Sequence, residues 1–129
     1  MKATSSLMII ATGVLITACA STTLPAAFPA EALPIKASVL KERVSGRSYT
    51  GRMANGLGWD MKYAVDGRFN MRTSNGEADQ GRWRTEDNRL CVDFEGKFPS
   101  GCSEVRADAK RLYLKRSSTG EVVALDVAP

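Results

Sequence analysis

From Gly46 onward the chain is written in period two, in short runs where every second residue is apolar and each run ends in turn residues. Successive side chains of a strand point to opposite faces, so such runs bury one face and wet the other. Trp59, Met61, Tyr63 and Val65 alternate with Asp60, Lys62 and Ala64. Asp66-Gly67 follows, a dipeptide suited to a type I′ hairpin turn, and Phe69, Met71 and Thr73 return. Ser74-Asn75-Gly76 leads into a run around residues 80–84, and Glu86-Asp87-Asn88 into residues 90–94. Further runs cover residues 102–106, 111–115 and 122–127, after a first strand near residues 47–53. This makes about eight short strands at a spacing of about 8–12 residues.

Connections this short suit antiparallel neighbours, because parallel strands need long crossovers. The expected fold is all-β: an antiparallel meander of about eight strands curling into a small barrel or closing as a sandwich, which protects its edges. The expected inward residues are Trp59, Met61, Tyr63, Phe69, Met71, Trp83, Leu90, Val92, Phe94, Leu112, Leu114, Val123 and Leu125. An eight-stranded barrel has room for its own side chains or one small ligand. This many bulky residues are expected to fill it. The glycines of the stretch from Gly46 to Arg52 either line a ligand mouth or, as expected here, bend a first strand at a barrel edge.

The start of the chain reads differently. Lys2 and the apolar run of residues 7–16, followed by Thr17-Ala18-Cys19-Ala20, have the order of a secretory signal. The run is about half the roughly 20 residues a membrane-spanning helix needs. Ile16-Thr17-Ala18-Cys19 resembles the lipobox of bacterial lipoproteins. That resemblance implies cleavage before Cys19, a diacylglycerol on its thiol and an acylated amine, enough lipid for stable anchoring without a spanning helix. Ala20 in place of an Asp after the Cys implies the outer membrane. An A-x-A site at Ala18-Cys19-Ala20, with release of a soluble periplasmic protein, is the rival reading.

The expected organisation is therefore a signal peptide at 1–18, a lipidated Cys19 with an extended tether over 19–37, and one β-domain over 38–129. Pro25, Pro29 and Pro34 favour extended backbone in the tether. A short helix from Ser38 to Val44, capped by Ser38, is expected at the domain's start.

Cysteine arithmetic agrees with the lipobox. Three Cys in an exported chain leave one over after a single disulfide. Lipidation accounts for Cys19, and Cys91 and Cys102 then fall on successive strands of one hairpin as a structural pair. Without a CxxC spacing, and with no His anywhere in the chain, a redox or metal role for them has little support. The missing His also removes Ser-His and Cys-His nucleophile pairs and the commonest general base. No catalytic residue, cofactor or metal is expected, and the protein is read as a non-enzyme. The net charge of +4 falls to +3 once the signal segment, with one Lys and no acid, is removed. The excess is spread along the chain, so nucleic acid is not an expected partner.

The candidate partner-binding residues are Arg82, Arg84 and Trp59. The two arginines share a strand face opposite Trp83 and would suit an anionic lipid headgroup or glycan carboxylate. Against this stands a solvated face paired with Glu86, Asp87 and Asp93. Trp59, at a loop-to-strand corner, is either a partner anchor or core. The carboxylates Asp93, Glu95 and Glu104 read as surface charge.

The order Gly81-x-Trp83, Arg89-Leu90-Cys91, Gly101-Cys102 and Val105 resembles small exported proteobacterial β-domains without a known activity. It is also similar to small periplasmic inhibitors of secreted metalloproteases, eight-stranded barrels with one disulfide whose N-terminal segment enters the protease cleft. Three functions follow as expectations. The first is an outer-membrane lipoprotein whose domain binds or stabilises an envelope protein or glycan. The second is a protease inhibitor using residues 20–36, and the third a lipocalin-like carrier of a small apolar ligand.

Overall fold

Three hairpins in succession are closed by the same local device. Gly56, Gly67 and Gly76 take positive φ of 85°, 90° and 88°. Each donates its N–H to the carbonyl three residues back, Met53, Ala64 and Thr73 respectively, at 2.9–3.1 Å. The residue after each glycine accepts a bond from that same position. This is a turn followed by a left-handed glycine, a three-residue loop with a bulge. The Asp66-Gly67 hairpin is thus not type I′, since Asp66 keeps a negative φ and only Gly67 crosses over. The longer loop starts the turn at Ala64, so the strand ends at Tyr63 and Val65 stands 76% exposed rather than inward.

The computed structural model describes residues 25–129. The expected signal segment and Cys19 lie outside the described residues. The elements are β1 (Leu33–Pro34), α1 (Ala37–Val44), β2 (Arg47–Arg52), β3 (Gly58–Tyr63), β4 (Arg68–Thr73), β5 (Ala78–Glu86), β6 (Arg89–Phe94), β7 (Gly101–Ala107), β8 (Leu112–Lys115) and β9 (Val122–Val127). Strands β2 to β9 pair with their sequence neighbours, all antiparallel. β9 returns to β2 through Tyr49↔Val127 and Thr50↔Asp126, and the meander is a closed eight-stranded barrel. Closure removes the strand edges that an open sheet would present.

Every residue expected inside is buried or half-buried, with Val92, Phe94 and Leu114 half-buried. The interior also takes in Tyr49, Val105, Leu40 and Val44. The last two belong to α1, which lies across the barrel end where β2 begins. Leu40 and Val44, four residues apart on one helix face, are fully buried there. The Tyr49 hydroxyl donates to Arg43 O at 2.6 Å and Thr85 Oγ1 to Ala37 O at 3.0 Å, fastening the helix to the barrel. Ser38 does not cap it: the helix begins at Ala37, and the capping position is Lys36, which offers no side-chain bond. Beside the helix, Trp83 packs edge-on against Tyr63, centroids 5.7 Å apart, and donates its indole N–H to Ala64 O at 2.9 Å.

Residues 25–36, read from the sequence as an extended tether, lie against the barrel as a strap. It bends at 26–27, turns at 30–31 with Ala32 N–H on Pro29 O at 3.0 Å, and is strand at Leu33–Pro34. Pro25 O accepts a 2.7 Å bond from Val122 N, at the start of β9. Phe28 packs over Arg106, 4.7 Å from ring centroid to guanidinium carbon, and joins an outer cluster with Ala32, Tyr113, Val122 and Ala124. Leu33 and Pro34 pair with Ala107 and Arg106 on the part of β7 that β6 does not reach. Ala32 and Ile35 are buried. The prolines fit because such a strap needs few backbone donors of its own.

Candidate functional site: an apolar lumen open at one end

Among the described residues, no element covers the end away from α1 as the helix covers the other. The loops between β2 and β3, β4 and β5, β6 and β7, and β8 and β9 all gather there. Beneath them a cavity of about 110 Å³ penetrates the barrel. Its walls are Trp59, Met61, Met71, Leu90, Val92, Phe94, Leu114 and Leu125, and it reaches as deep as Tyr63. Its rim carries Met53, Phe98, Pro99, Arg116, Ser117 and Ser118. The sequence expectation of a filled interior is therefore corrected. The side chains are bulky, but several lie along the walls rather than across the lumen.

Two glycines explain how. A Cβ on Gly51 would sit 2.5 Å from the Trp59 ring, so only glycine lets the indole lie against β2. A Cβ on Gly81 would fall 1.8 Å from Asp93 O and 3.1 Å from the Phe69 ring. The bare backbone there admits Phe69, which stands edge-on to Phe94 at 5.0 Å. Phe98 continues the stack 5.7 Å beyond, onto the rim.

Arg116 follows β8, where inward parity runs through Leu112 and Leu114. Its N–H donates to Glu121 O and its carbonyl accepts from Gly120 N, each at 2.8 Å, so the stem is pinned. Arg116 is half-buried, and among the described residues its guanidinium has no ion pair and no hydrogen-bond partner. Ser103, on β7, adds a further hydroxyl to the lining. The lumen is thus apolar below, with one cation and three hydroxyls above.

Trp59 is only 9% exposed and forms lumen wall, so the corner position does not yield a surface anchor. Arg82 and Arg84 do share the outer face of β5. Arg84 bonds both Glu86 and Asp93 at 3.1 Å, and Arg89 bonds Glu86 at 3.4 Å. The Glu86 bond, chiefly, holds the Arg84 guanidinium more firmly protonated than usual. Arg82 lies opposite Arg68 on one side and Asp93 on the other. Arg84 is thus paired as the neighbouring acids imply, while Arg82 makes no ion pair among the described residues, and this solvated face is separate from the lumen. Asp93 and Glu104 are engaged by Arg84 and Arg106, and Glu95 by Gln80.

Cys91 and Cys102 stand directly opposite each other on β6 and β7 and form a disulfide. Glu86 lies close to both sulfurs, but their commitment to the disulfide leaves this trio no thiolate to offer a metal. Sequence reasoning missed Arg116, Phe98 and Pro99. The parity of Leu112 and Leu114, carried one step into the loop, was the signal for Arg116.

No family model matches the chain, and no curated protein matches it either.

Proposed function

We propose that this is a non-enzymatic lipoprotein of the outer membrane, held through a lipidated Cys19, whose barrel binds a small apolar ligand in its open lumen. The observation that carries the binding role is the cavity: concave, lined by apolar and aromatic side chains, with a few polar groups at its mouth. The strap supports the placement. Pro25 meets β9 beside the loop carrying Arg116, and Cys19 lies six residues earlier in the sequence. Six residues span at most about 20 Å, so an anchor at Cys19 keeps the mouth close to the bilayer surface. A ligand released at that surface reaches the lumen without crossing the helix-covered end.

The inhibitor reading has less support. From Pro25 on, the segment expected to enter a protease cleft is held against β7, β8 and β9, which leaves only the residues before it. The arginine face remains available to an envelope glycan or protein, but its neutralising acids weaken the case for a strong anionic partner there.

Two measurements test the proposal. Intact mass of the membrane-extracted protein is expected to show a chain starting at Cys19 and carrying diacylglycerol plus an acyl chain, lost in Cys19→Ala. An unmodified soluble chain starting at Ser21 sinks the anchor. Small apolar compounds are expected to change the fluorescence of Trp59 in a Trp83→Phe background. Silence across a panel graded by size sinks the lumen.

A further inference from the structure

We infer that the ligand is an anion with a narrow aliphatic body, a short-chain carboxylate, seated with its chain in the lumen and its carboxylate on Arg116. This rests on the lumen being a binding site and adds what it selects. The cavity, about 110 Å³, is smaller than the roughly 150 Å³ of an engineered apolar cavity that admits benzene. It is also elongated, since its lining runs from Tyr63 deep in the barrel to Arg116 and Ser117 at the rim. A chain of a few methylenes fits such a space, and fused rings do not. Met53, Met61 and Met71 supply adaptable walls that can follow a chain.

Among the described residues the nearby basic rim side chain Lys97 is paired with Glu77, while Arg116 has no acid within ion-pair reach. Its backbone is clamped at both the N–H and the carbonyl, and its side chain is part of the lining at the mouth. A planar fork of N–H donors matches a carboxylate in two parallel bonds. Ser117 and Ser118 provide further donors on the same rim. An anionic head above an apolar lumen satisfies the unpaired cation and leaves no polar group of the ligand inside.

The test uses the full-length mature protein in detergent and three ligands of equal chain length, hexanoate, hexanol and hexylamine, read by titration calorimetry and by Trp59 fluorescence in Trp83→Phe. Hexanoate is expected to bind at least about tenfold more tightly than hexanol, with hexylamine weakest, the margin expected for a charged hydrogen-bonded pair. Arg116→Gln is expected to remove the preference for the acid, lowering hexanoate affinity at least about tenfold more than hexanol affinity, and Arg116→Lys to restore part of it. Retained hexanol binding and an unchanged thermal unfolding midpoint show that the variant barrel is folded. If hexanol and hexanoate bind equally, or Arg116→Gln spares the preference, the anion selectivity is overturned while the lumen stands. If none of the three binds, the lumen reading fails and this inference with it.

Discussion

The two ends of the barrel are built from the same kinds of residue and do opposite things with them. At the closed end Trp83 and Tyr63 pack edge to face, the Tyr49 hydroxyl bonds Arg43 O, and Leu40 and Val44 of α1 are fully buried. Each polar atom of that group has a partner: Trp83 N–H on Ala64 O, Tyr49 hydroxyl on Arg43 O, Tyr63 hydroxyl on Met61 Sδ at 3.4 Å. At the open end Trp59 lies against Gly51 and Phe98 sits on the rim. There the Arg116 guanidinium has no partner among the described residues. Aromatic content does not decide whether a barrel is a packed core or a cup. What decides it is the direction in which the rings project, and here glycines and one helix set that direction.

Substitutions can break or sharpen this contrast. Trp83→Ala removes a fully engaged ring from the closed end and is expected to cost about 3–5 kcal/mol in urea unfolding. Trp59→Ala, beside space that already exists, is expected to cost at least about 1 kcal/mol less, because less new cavity is created. Equal losses would mean that the open end is as tightly packed as the closed one. Cys91→Ala with Cys102→Ala acts on the wall between the ends, and by loop-closure entropy is expected to cost about 2–3 kcal/mol. Enlarging side chains probes the same difference from the other direction. Val44→Phe overpacks the closed end at about 1–3 kcal/mol. Leu114→Phe has cavity to grow into and is expected to be neutral in thermal unfolding while abolishing ligand binding.

The smallest effects are those of pH. Burial, with the nearby Tyr49 hydroxyl, pushes Tyr63 well above the usual phenol range. A raised folded value means the stabilisation is complete below the ordinary phenol pKa and is lost as pH climbs above it. Tyr63→Phe should flatten the alkaline limb of the stability profile. Asp108, outside the barrel, accepts the N–H groups of Arg111 and Lys110 and the Tyr113 hydroxyl, which hold its carboxyl below the usual range. A depressed folded value works in the opposite sense. Its contribution is present above the ordinary carboxylate pKa and disappears as pH falls below it. Asp108→Asn should flatten the acid limb and, because the bond to Asp108 is what chiefly holds the Tyr113 phenol above its ordinary range, part of the alkaline limb as well.

The barrel was legible because alternation survives whatever closes the sheet. The inward set from Trp59 to Leu125 follows from parity alone, and so does the Cys91–Cys102 pairing once β6 and β7 form a hairpin. Parity failed where a turn took one residue more than expected, which put Val65 outside. Tyr49 went unremarked because its strand is polar and glycine-rich, and its hydroxyl finds its partner on Arg43, at the end of the helix just before it. The lumen was not legible at all. A list of bulky inward residues predicts a filled interior, and only the close approaches at Gly51 and Gly81 show where the rings lie. Arg116 reads as an ordinary loop residue until closure brings the loop over the cavity.

The strap has a consequence for how copies of this domain tolerate one another. Two stretches of the sheet lack a ladder neighbour, the end of β7 beyond Glu104 and the start of β9 opposite β2. Leu33–Pro34 covers the first, and Pro25 takes the Val122 N–H of the second. Pro34, with no N–H to offer, is a poor template for another strand. Stripped back to α1, the barrel would expose both stretches and become prone to edge-to-edge aggregation. With the strap in place, even dense packing of copies on a surface leaves them little backbone to share.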